Sequence, residues 1–433
     1  MMLPDDFLTL MGECYGEREA HDLCAALEHT DPSVSVRLNM RKLRAVLDDE
    51  ELMRLNEHLQ ATCEPVPWCP DAWYLPQRPP FTFDPLLHAG AYYVQEASSM
   101  YVADVVRRHL PALQGTQPRP VAALDLCAAP GGKSTLLAGL LPQCSLLLSN
   151  EVMPKRAQVL AENMTKWTAG MPAGQYPVTS LVSQNRTADF AAFAGLFDLL
   201  VTDVPCSGEG MFRKDEQAIR DWSLDNVRLC CQRQREILDD VAQVLRPGGL
   251  LLYSTCTFNR HEDEEGARYA CALLGGELLE ERHFLPGRDR GEGFYVAAIR
   301  KPLTDDDDHG GDVPAQPSPA EESDAQTDEA QSQARLQRVA ARVRRYLRVL
   351  YNSASVPSDA QTLPCVNLTY DQALQYLRRE AVRVEAPRGM VTLCYKGFPL
   401  GQGKSVGTRV NNLYPAEWRI RTGYTTPYTL LPE

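Results

Sequence analysis

Two cysteines stand apart from the other eleven in this 433-residue chain. Cys206 follows the apolar run of Phe197-Asp-Leu-Leu-Val-Thr-Asp-Val-Pro-Cys-Ser-Gly208, and Cys256 follows that of Leu250-Leu-Leu-Tyr-Ser-Thr-Cys-Thr-Phe258. A buried free cysteine is usually a small hydrophobe. Each of these two lies just past a strand-like run, beside polar residues, at the edge where ligands collect in open α/β sheets. A thiolate is a soft nucleophile whose ordinary pKa of about 8.5 falls beside positive charge or a helix N-terminus. Added to carbon 6 of a pyrimidine, it turns the poorly nucleophilic carbon 5 into the end of an enamine that can take a methyl group. The carbon 5 proton must then leave before the thiol is eliminated, so Cys256 is the candidate nucleophile and Cys206 a candidate assistant. Lys133 is the closest candidate cation in sequence, and its pairing with Asp203 is the alternative.

A methyl donor needs its own site. In Val121-Ala-Ala-Leu-Asp-Leu-Cys-Ala-Ala-Pro-Gly-Gly-Lys-Ser134 an apolar strand runs into a Gly-Gly turn and opens a helix, so backbone must approach a ligand closely. A phosphate-binding P-loop would need glycine where Cys127 stands, and the dinucleotide pattern G-x-G-x-x-G is absent. The remaining ligand class for this architecture is S-adenosylmethionine, with Glu151, closing the next strand-like run, placed to accept the ribose hydroxyls. A generic strand-turn-helix with no ligand is the competing reading.

The elements that position these residues read as α/β. Continuous apolar runs at Val121–Leu126, Ser145–Ser149, Val178–Val182, Phe197–Thr202, Leu250–Ser254 and Phe294–Ile299 predict strands buried on both faces of a largely parallel sheet. Helices are expected over Ser134–Leu141, Pro154–Trp167 and Asn226–Leu245, the last stopped by Arg246-Pro-Gly-Gly249. This core, residues 86–303, follows a small α/β segment over residues 1–85, with helical patterns at Asp5–Leu27 and Leu43–Ala61 around the strand-like Ser33–Asn39. Residues 304–334 carry ten Asp or Glu and no Lys or Arg, with almost nothing apolar, and are expected to form a disordered linker. Residues 335–433 reverse the sign, with fifteen Lys or Arg against six Asp or Glu, against a net charge of −13 for the whole chain. They open on an expected helix with six Arg, Arg335–Tyr351, and end in a Gly-punctuated β-rich module from Gly389. This asymmetry points to polyanion contact by the C-terminal part, a solvated surface being the alternative. With no run of eighteen uncharged apolar residues, no basic leader and no paired CxxC motifs, the chain is expected to be cytoplasmic, to have reduced thiols, and to use neither membrane nor metal.

With CAAPGGKS, DVPCSGEGMFRKD and STCTFNRHEDEE in this order, the chain resembles the NOL/NOP/Sun family of RNA 5-methylcytosine methyltransferases. The likeness extends to GAYYVQEASSM (Gly90–Met100), GEGFYVA (Gly291–Ala297) and GFPLGQGKSVGTRVNNLYP (Gly397–Pro415), through which it points to the family's bacterial small-subunit ribosomal RNA branch. The resemblance implies a Rossmann-like S-adenosylmethionine-dependent methyltransferase fold, with an N-terminal RNA-recognition-like domain and a C-terminal PUA-like RNA-binding domain. It implies that Cys256 is the nucleophile, that Cys206 helps release product, and that Asp203 and Lys133 belong to the catalytic set. Cofactor contacts would fall on Cys127, Ala128, Ala129, Pro130, Gly131, Gly132, Lys133, Glu151 and Asp203. The partner would be RNA, in particular ribosomal RNA. The family's Asn-Asp after the third strand is replaced by Ser183-Gln-Asn-Arg186, so Asn185 or Gln184 takes the adenine hydrogen bond, or adenine is held by packing. Two other classes compete: an RNA-binding assembly factor on a vestigial catalytic fold, which intact Cys206 and Cys256 oppose, and an exocyclic-amine methyltransferase, which would need Asn/Asp-Pro-Pro-aromatic where Asp203-Val-Pro-Cys206 stands.

Overall fold

The computed structural model describes residues 3–114, 119–169, 178–303, 321–353, 363–423 and 426–431. The chain forms two compact units, one from residues 1–33, 96–160 and 178–351, the other from 34–95, 161–177 and 352–433. In the first, helices α1 (Asp5–Tyr15), α2 (Glu17–His29) and α3 (Tyr101–Gln114) precede β1 (Ala122–Asp125), α4 (Gly132–Leu140), β2 (Ser145–Asn150), α5 (Pro154–Thr168, of which residues 154–160 belong to this unit and 161–168 to the second) and β3 (Val178–Ser183). There follow β4 (Phe197–Asp203), α6 (Leu224–Val241), β5 (Leu245–Thr255), α7 (Glu264–Leu274), β6 (Glu277–Phe284), β7 (Phe294–Arg300), α8 (Glu321–Tyr346) and β8 (Val349–Asn352). Strands β1 to β5 are parallel, β7 is antiparallel to both its neighbours, and the sheet order is β6-β7-β5-β4-β1-β2-β3-β8.

The six apolar runs read from sequence are all strands, because residues such as Leu124, Leu147 and Leu200 are covered on both faces. Strand β6 (ELLEERHF) escaped the sequence reading because it lies at the sheet edge, where charged residues are tolerated and the apolar signal is weak. The parallel arrangement brings the ends of β1, β2, β3, β4 and β5 to one edge: Asp125 pairs with Val201, Asn150 with Ser183, and Asp203 with Ser254.

The expected division into 1–85, 86–303, 304–334 and 335–433 is regrouped in space. Helices α1 and α2 pack with the first unit, where Phe7 lies 5.2 Å from Phe212 and 5.4 Å from Trp222, ring to ring, in a cluster that also buries Leu10, Leu23 and Phe258. Of the expected linker, residues 304–320 lie outside the described residues, and the rest is helical: α8 begins at Glu321, not Arg335. Low hydrophobicity argued against burial, whereas Glu, Ala and Gln are good helix formers. The same helix carries the apolar stripe Leu336, Val339, Ala340, Val343 and Leu347 into the core of the first unit beside Phe190, Phe193 and Leu238, so the basic helix belongs to the sheet and not to the C-terminal module.

The second unit holds two four-stranded sheets. One comprises Glu64–Val66, Cys69–Leu75, Val34–Leu38 and Tyr92–Val94; the other Cys365–Asn367, Gly389–Tyr395, Phe398–Ser405 and Val410–Asn412. They share a hydrophobic cluster that includes Val36, Leu43, Trp73, Tyr92, Leu374, Val391 and Tyr414. The expectation of thirteen reduced thiols is corrected at one pair, since the sulfurs of Cys365 and Cys394 are joined as a disulfide on adjacent strands. Among the described residues no helix is long and apolar enough to cross a membrane, and no His/Cys/Asp/Glu group could hold a metal ion.

One buried carboxylate ties the amino edge of the large sheet together. Asp198 accepts from Arg119 (3.1 Å), Arg246 (2.5 Å), Arg335 (2.6 Å) and the Ala122 amide (2.7 Å). Burial pushes its pKa up, but Arg335, Arg246, the Ala122 amide and Arg119 outweigh that and hold it below the usual range. Removing one member of such a cluster leaves uncompensated charge, at a cost of about 3–5 kcal/mol. Asp198→Ala should therefore lower stability by about that much in urea denaturation; a loss below ~1 kcal/mol contradicts this role.

Candidate active site

The two cysteines singled out from sequence meet. Cys206 Sγ and Cys256 Sγ lie 3.4 Å apart, both partly accessible, past the ends of β4 and β5. What holds them is a buried polar network around two carboxylates. Glu209, fully buried, accepts from the backbone N–H of Phe258 (2.6 Å) and Asn259 (3.1 Å), the Asn259 side-chain amide (2.9 Å) and Trp222 Nε1 (3.0 Å). Glu262 accepts from the Ser207 amide (3.0 Å), Gln234 Nε2 (2.8 Å) and Asn259 Nδ2 (2.8 Å). Each carboxylate thus belongs to one cysteine loop and binds the other. Burial, and then Glu209, raise the Glu262 pKa to about 7. Gly210 N donates 2.8 Å to the Cys256 carbonyl, and a Cβ at Gly210 would lie 2.7 Å from that oxygen, so this close approach requires glycine.

A second network lies behind Cys256. Thr255 donates to Asp263 Oδ1, Asp263 Oδ2 is 2.8 Å from His283 Nε2, and His283 Nδ1 is 3.0 Å from the Tyr15 hydroxyl, which donates to the Phe258 carbonyl. Burial lowers the His283 pKa to about 4, so the ring is neutral at physiological pH. The strand tip before and the loop after the nucleophile candidate are thereby both tethered.

The glycine turn shares this edge. Gly131 adopts φ 115°, a left-handed conformation suited to glycine, directly before α4. Lys133 from that helix pairs with Asp203 at 2.9 Å and lies 4.8 Å from the centre of the Phe294 ring, so the pairing alternative is the one realised. Asp203 also accepts from Ser254 (2.8 Å). Cys127, Ala128, Ala129 and Pro130 form the approach to the turn; burial, then Glu151, Asp125 and Asp203, push the Cys127 thiol up and keep it protonated. Glu151, largely buried, accepts from the Met153 amide (2.9 Å) and faces Arg156 (3.3 Å), with carboxylate lone pairs still to spare.

Two residues answer differently from the sequence reading. Asn185 directs its side chain at the backbone of Arg348, accepting from its N–H (3.1 Å) and donating to its carbonyl (3.4 Å), so its amide is engaged where an adenine partner was expected. Asp125 was not singled out. It is fully buried at the tip of β1, accepts from Ser134 (2.6 Å) on one oxygen and leaves Oδ1 with no partner. The only signal in sequence was a lone acid inside an apolar run. Glu209, Asn259 and Glu262 were visible only as part of the family motifs. The left-handed turn at Gly131, the unpartnered Asp125 oxygen and Glu151 one strand away fit a cofactor that presents a polar amino-acid part and a ribose.

The strand order, glycine turn and thiol pair define a Rossmann-like S-adenosylmethionine-dependent methyltransferase. Residues 116–300 match the family described as 16S rRNA methyltransferase RsmB/F, residues 3–97 the N-terminal domain of 16S rRNA methyltransferase RsmF, and residues 364–420 the RsmF PUA domain. Ribosomal RNA small subunit methyltransferase F of Enterobacter sp. (strain 638) is 29% identical over 486 residues, 96% of each chain. A methyltransferase homolog protein from Pyrococcus horikoshii superimposes with TM-score 0.53 at 25% identity, over 69% of this chain and all of its own (100%). The structure of NSun6 from Pyrococcus horikoshii with SFG gives TM-score 0.55 at 17% identity, over 69% of this chain and 98% of its own, and shows the same fold. The chain belongs to the RsmB/F family of 16S rRNA methyltransferases.

Burial raises the Asp125 pKa to about 7 from an ordinary 3.8. A carboxyl whose folded pKa is raised adds stability that is complete below its unfolded pKa and lost as pH climbs through the folded one. Between pH 4 and pH 7, wild-type stability should therefore fall relative to Asp125→Asn by on the order of 3–4 kcal/mol, read by denaturation at each pH. Parallel pH profiles for the two proteins contradict it.

Proposed function

We propose that this enzyme methylates carbon 5 of a cytosine in small-subunit ribosomal RNA, with Cys256 as covalent nucleophile and Cys206 as its proton-handling partner. The observation that carries the reading is the 3.4 Å approach of the two sulfurs at the sheet edge that also bears the glycine turn. S-Adenosylmethionine, when bound, supplies an electrophilic methyl group. Asp125, the turn from Cys127 to Lys133, and Glu151 would hold it, and Asp203 with Lys133 would border the target base.

The chain's own residues divide the work. The Cys206 pKa is raised well above the ordinary thiol value, first by its hydrogen bond with Cys256 and then by burial and by negative charge on Cys256. Cys206 therefore keeps its proton and is the donor of the pair, leaving Cys256 to act as the thiolate. That thiolate adds to carbon 6, forming the S–C bond and moving the ring double-bond pair toward carbon 5. Once Cys256 is bonded to carbon its negative charge is gone, and of the hydrogen bond, burial and charge that raised the Cys206 pKa only burial remains, so Cys206 can give its proton up to solvent. Cys206 is then free to take the carbon 5 proton or to hold the group that does, and the returning electron pair expels Cys256. The target base must leave its stack to reach both sulfurs.

The test is to incubate the protein with S-adenosylmethionine and protein-free small-subunit ribosomal RNA and analyse nucleosides by mass spectrometry. The expected product is 5-methylcytidine, and Cys256→Ala should reduce its formation by roughly three orders of magnitude or more. A methyl group on the exocyclic nitrogen, or activity that survives the loss of Cys256, overturns the proposal.

A further inference from the structure

We infer that the outer face of the C-terminal half of α8, residues 335–346, is a track for the RNA phosphate backbone, leading to the catalytic edge. This rests on the reading of the site as an RNA methyltransferase and names the surface through which the substrate is held.

Helix geometry sets which residues face outward. At about 100° per residue, Arg338, Arg342 and Arg345 fall on the side of α8 opposite Leu336, Val339, Ala340, Val343 and Leu347, and they are exposed while the apolar stripe is buried. Among the described residues none of the three arginines pairs with a carboxylate; Arg342 lies 5.9 Å from the centre of the Phe193 ring and Arg345 5.4 Å from that of Tyr346. No acidic residue occurs between Glu329 and Asp359. A chain of net charge −13 thus concentrates unpaired positive charge on the C-terminal half of this helix, and at a screening length of about 8–10 Å an approaching polyanion senses this local charge rather than the molecular average.

The track is held at both ends. Arg335 is pinned to Asp198, the second residue of β4, at the amino edge of the sheet. Just beyond the helix, Arg348 is fixed through its backbone to Gln184 (2.9 Å) and to the Asn185 side chain (3.1 Å), directly after β3, at the carboxyl edge that carries both cysteines. The stripe therefore crosses the height of the sheet and ends on the catalytic rim, a route that a strand entering the site would share. Tyr346, 54% exposed beside Arg345, offers a ring on which an unstacked base can lie. A lipid surface does not fit, since the apolar face of α8 is buried in its own unit.

The test uses the full chain and protein-free small-subunit ribosomal RNA. Affinity is measured from 50 to 400 mM KCl, with about 0.7 expected in the slope of log K against log salt for each single-strand phosphate contact. Replacing Arg338, Arg342 and Arg345 together by Gln should reduce that slope by about 2 and weaken binding at least roughly tenfold at 100 mM, while the triple Lys variant restores most of the slope. S-Adenosylmethionine affinity by calorimetry verifies folding, and if the triple variant fails there, Arg345→Gln alone should lower the slope by about 0.7. A slope unchanged in the folded variant overturns the track. If affinity is then lost only for ribosomal subunits and not for bare RNA, the face reads protein instead. Because the readout is binding, a failure of the cytosine chemistry would leave this result standing, and the reverse also holds.

Discussion

The reactive geometry depends on burying two carboxylates where they can each accept from the loop they do not belong to. Glu209 comes from the Cys206 loop and binds the amides after Cys256; Glu262 comes from beyond Cys256 and binds the amide after Cys206. Neither strand end would otherwise fix its cysteine, because a chain leaving a sheet has no ladder left to hold it. A buried carboxylate without partners would cost several kcal/mol, and here the backbone N–H groups of the two loops supply those partners. Loop position and carboxylate satisfaction are thus one requirement, and the sulfur–sulfur approach follows from it.

Much of this was legible in the residues. Strands buried on both faces announce themselves as unbroken apolar runs, and strand ends in a parallel sheet must share an edge, so the convergence of Cys206, Cys256 and the glycine turn followed from periodicity and topology. Partners distant in sequence were not legible. Nothing local in SGEGMF says that Glu209 reaches Asn259 and Trp222, and nothing in the apolar run ending at Asp125 says that one of its oxygens stays unpaired. The reading of α8 failed for a different reason: composition reported that residues 321–334 bury little, which is silent on whether they are helical. The stripe from Leu336 to Leu347 then decided which unit the helix joined.

Charge is arranged on the same plan. Asp198 gathers three arginines at the amino edge, where they brace β1, β4, β5 and α8 against one another. The arginines left unpaired on α8 point away from that core. An acidic protein can therefore hold a polyanion through one local surface, and the average charge of the chain says little about where RNA would lie.

The claim at the centre is a covalent bond between Cys256 and the target base whose breakdown needs Cys206. Its most direct test is denaturing gel electrophoresis of Cys206→Ala after incubation with S-adenosylmethionine and small-subunit ribosomal RNA. A retarded protein–RNA band that disappears in Cys206→Ala/Cys256→Ala is the result expected. No retarded band, or one that persists without Cys256, contradicts the assignment.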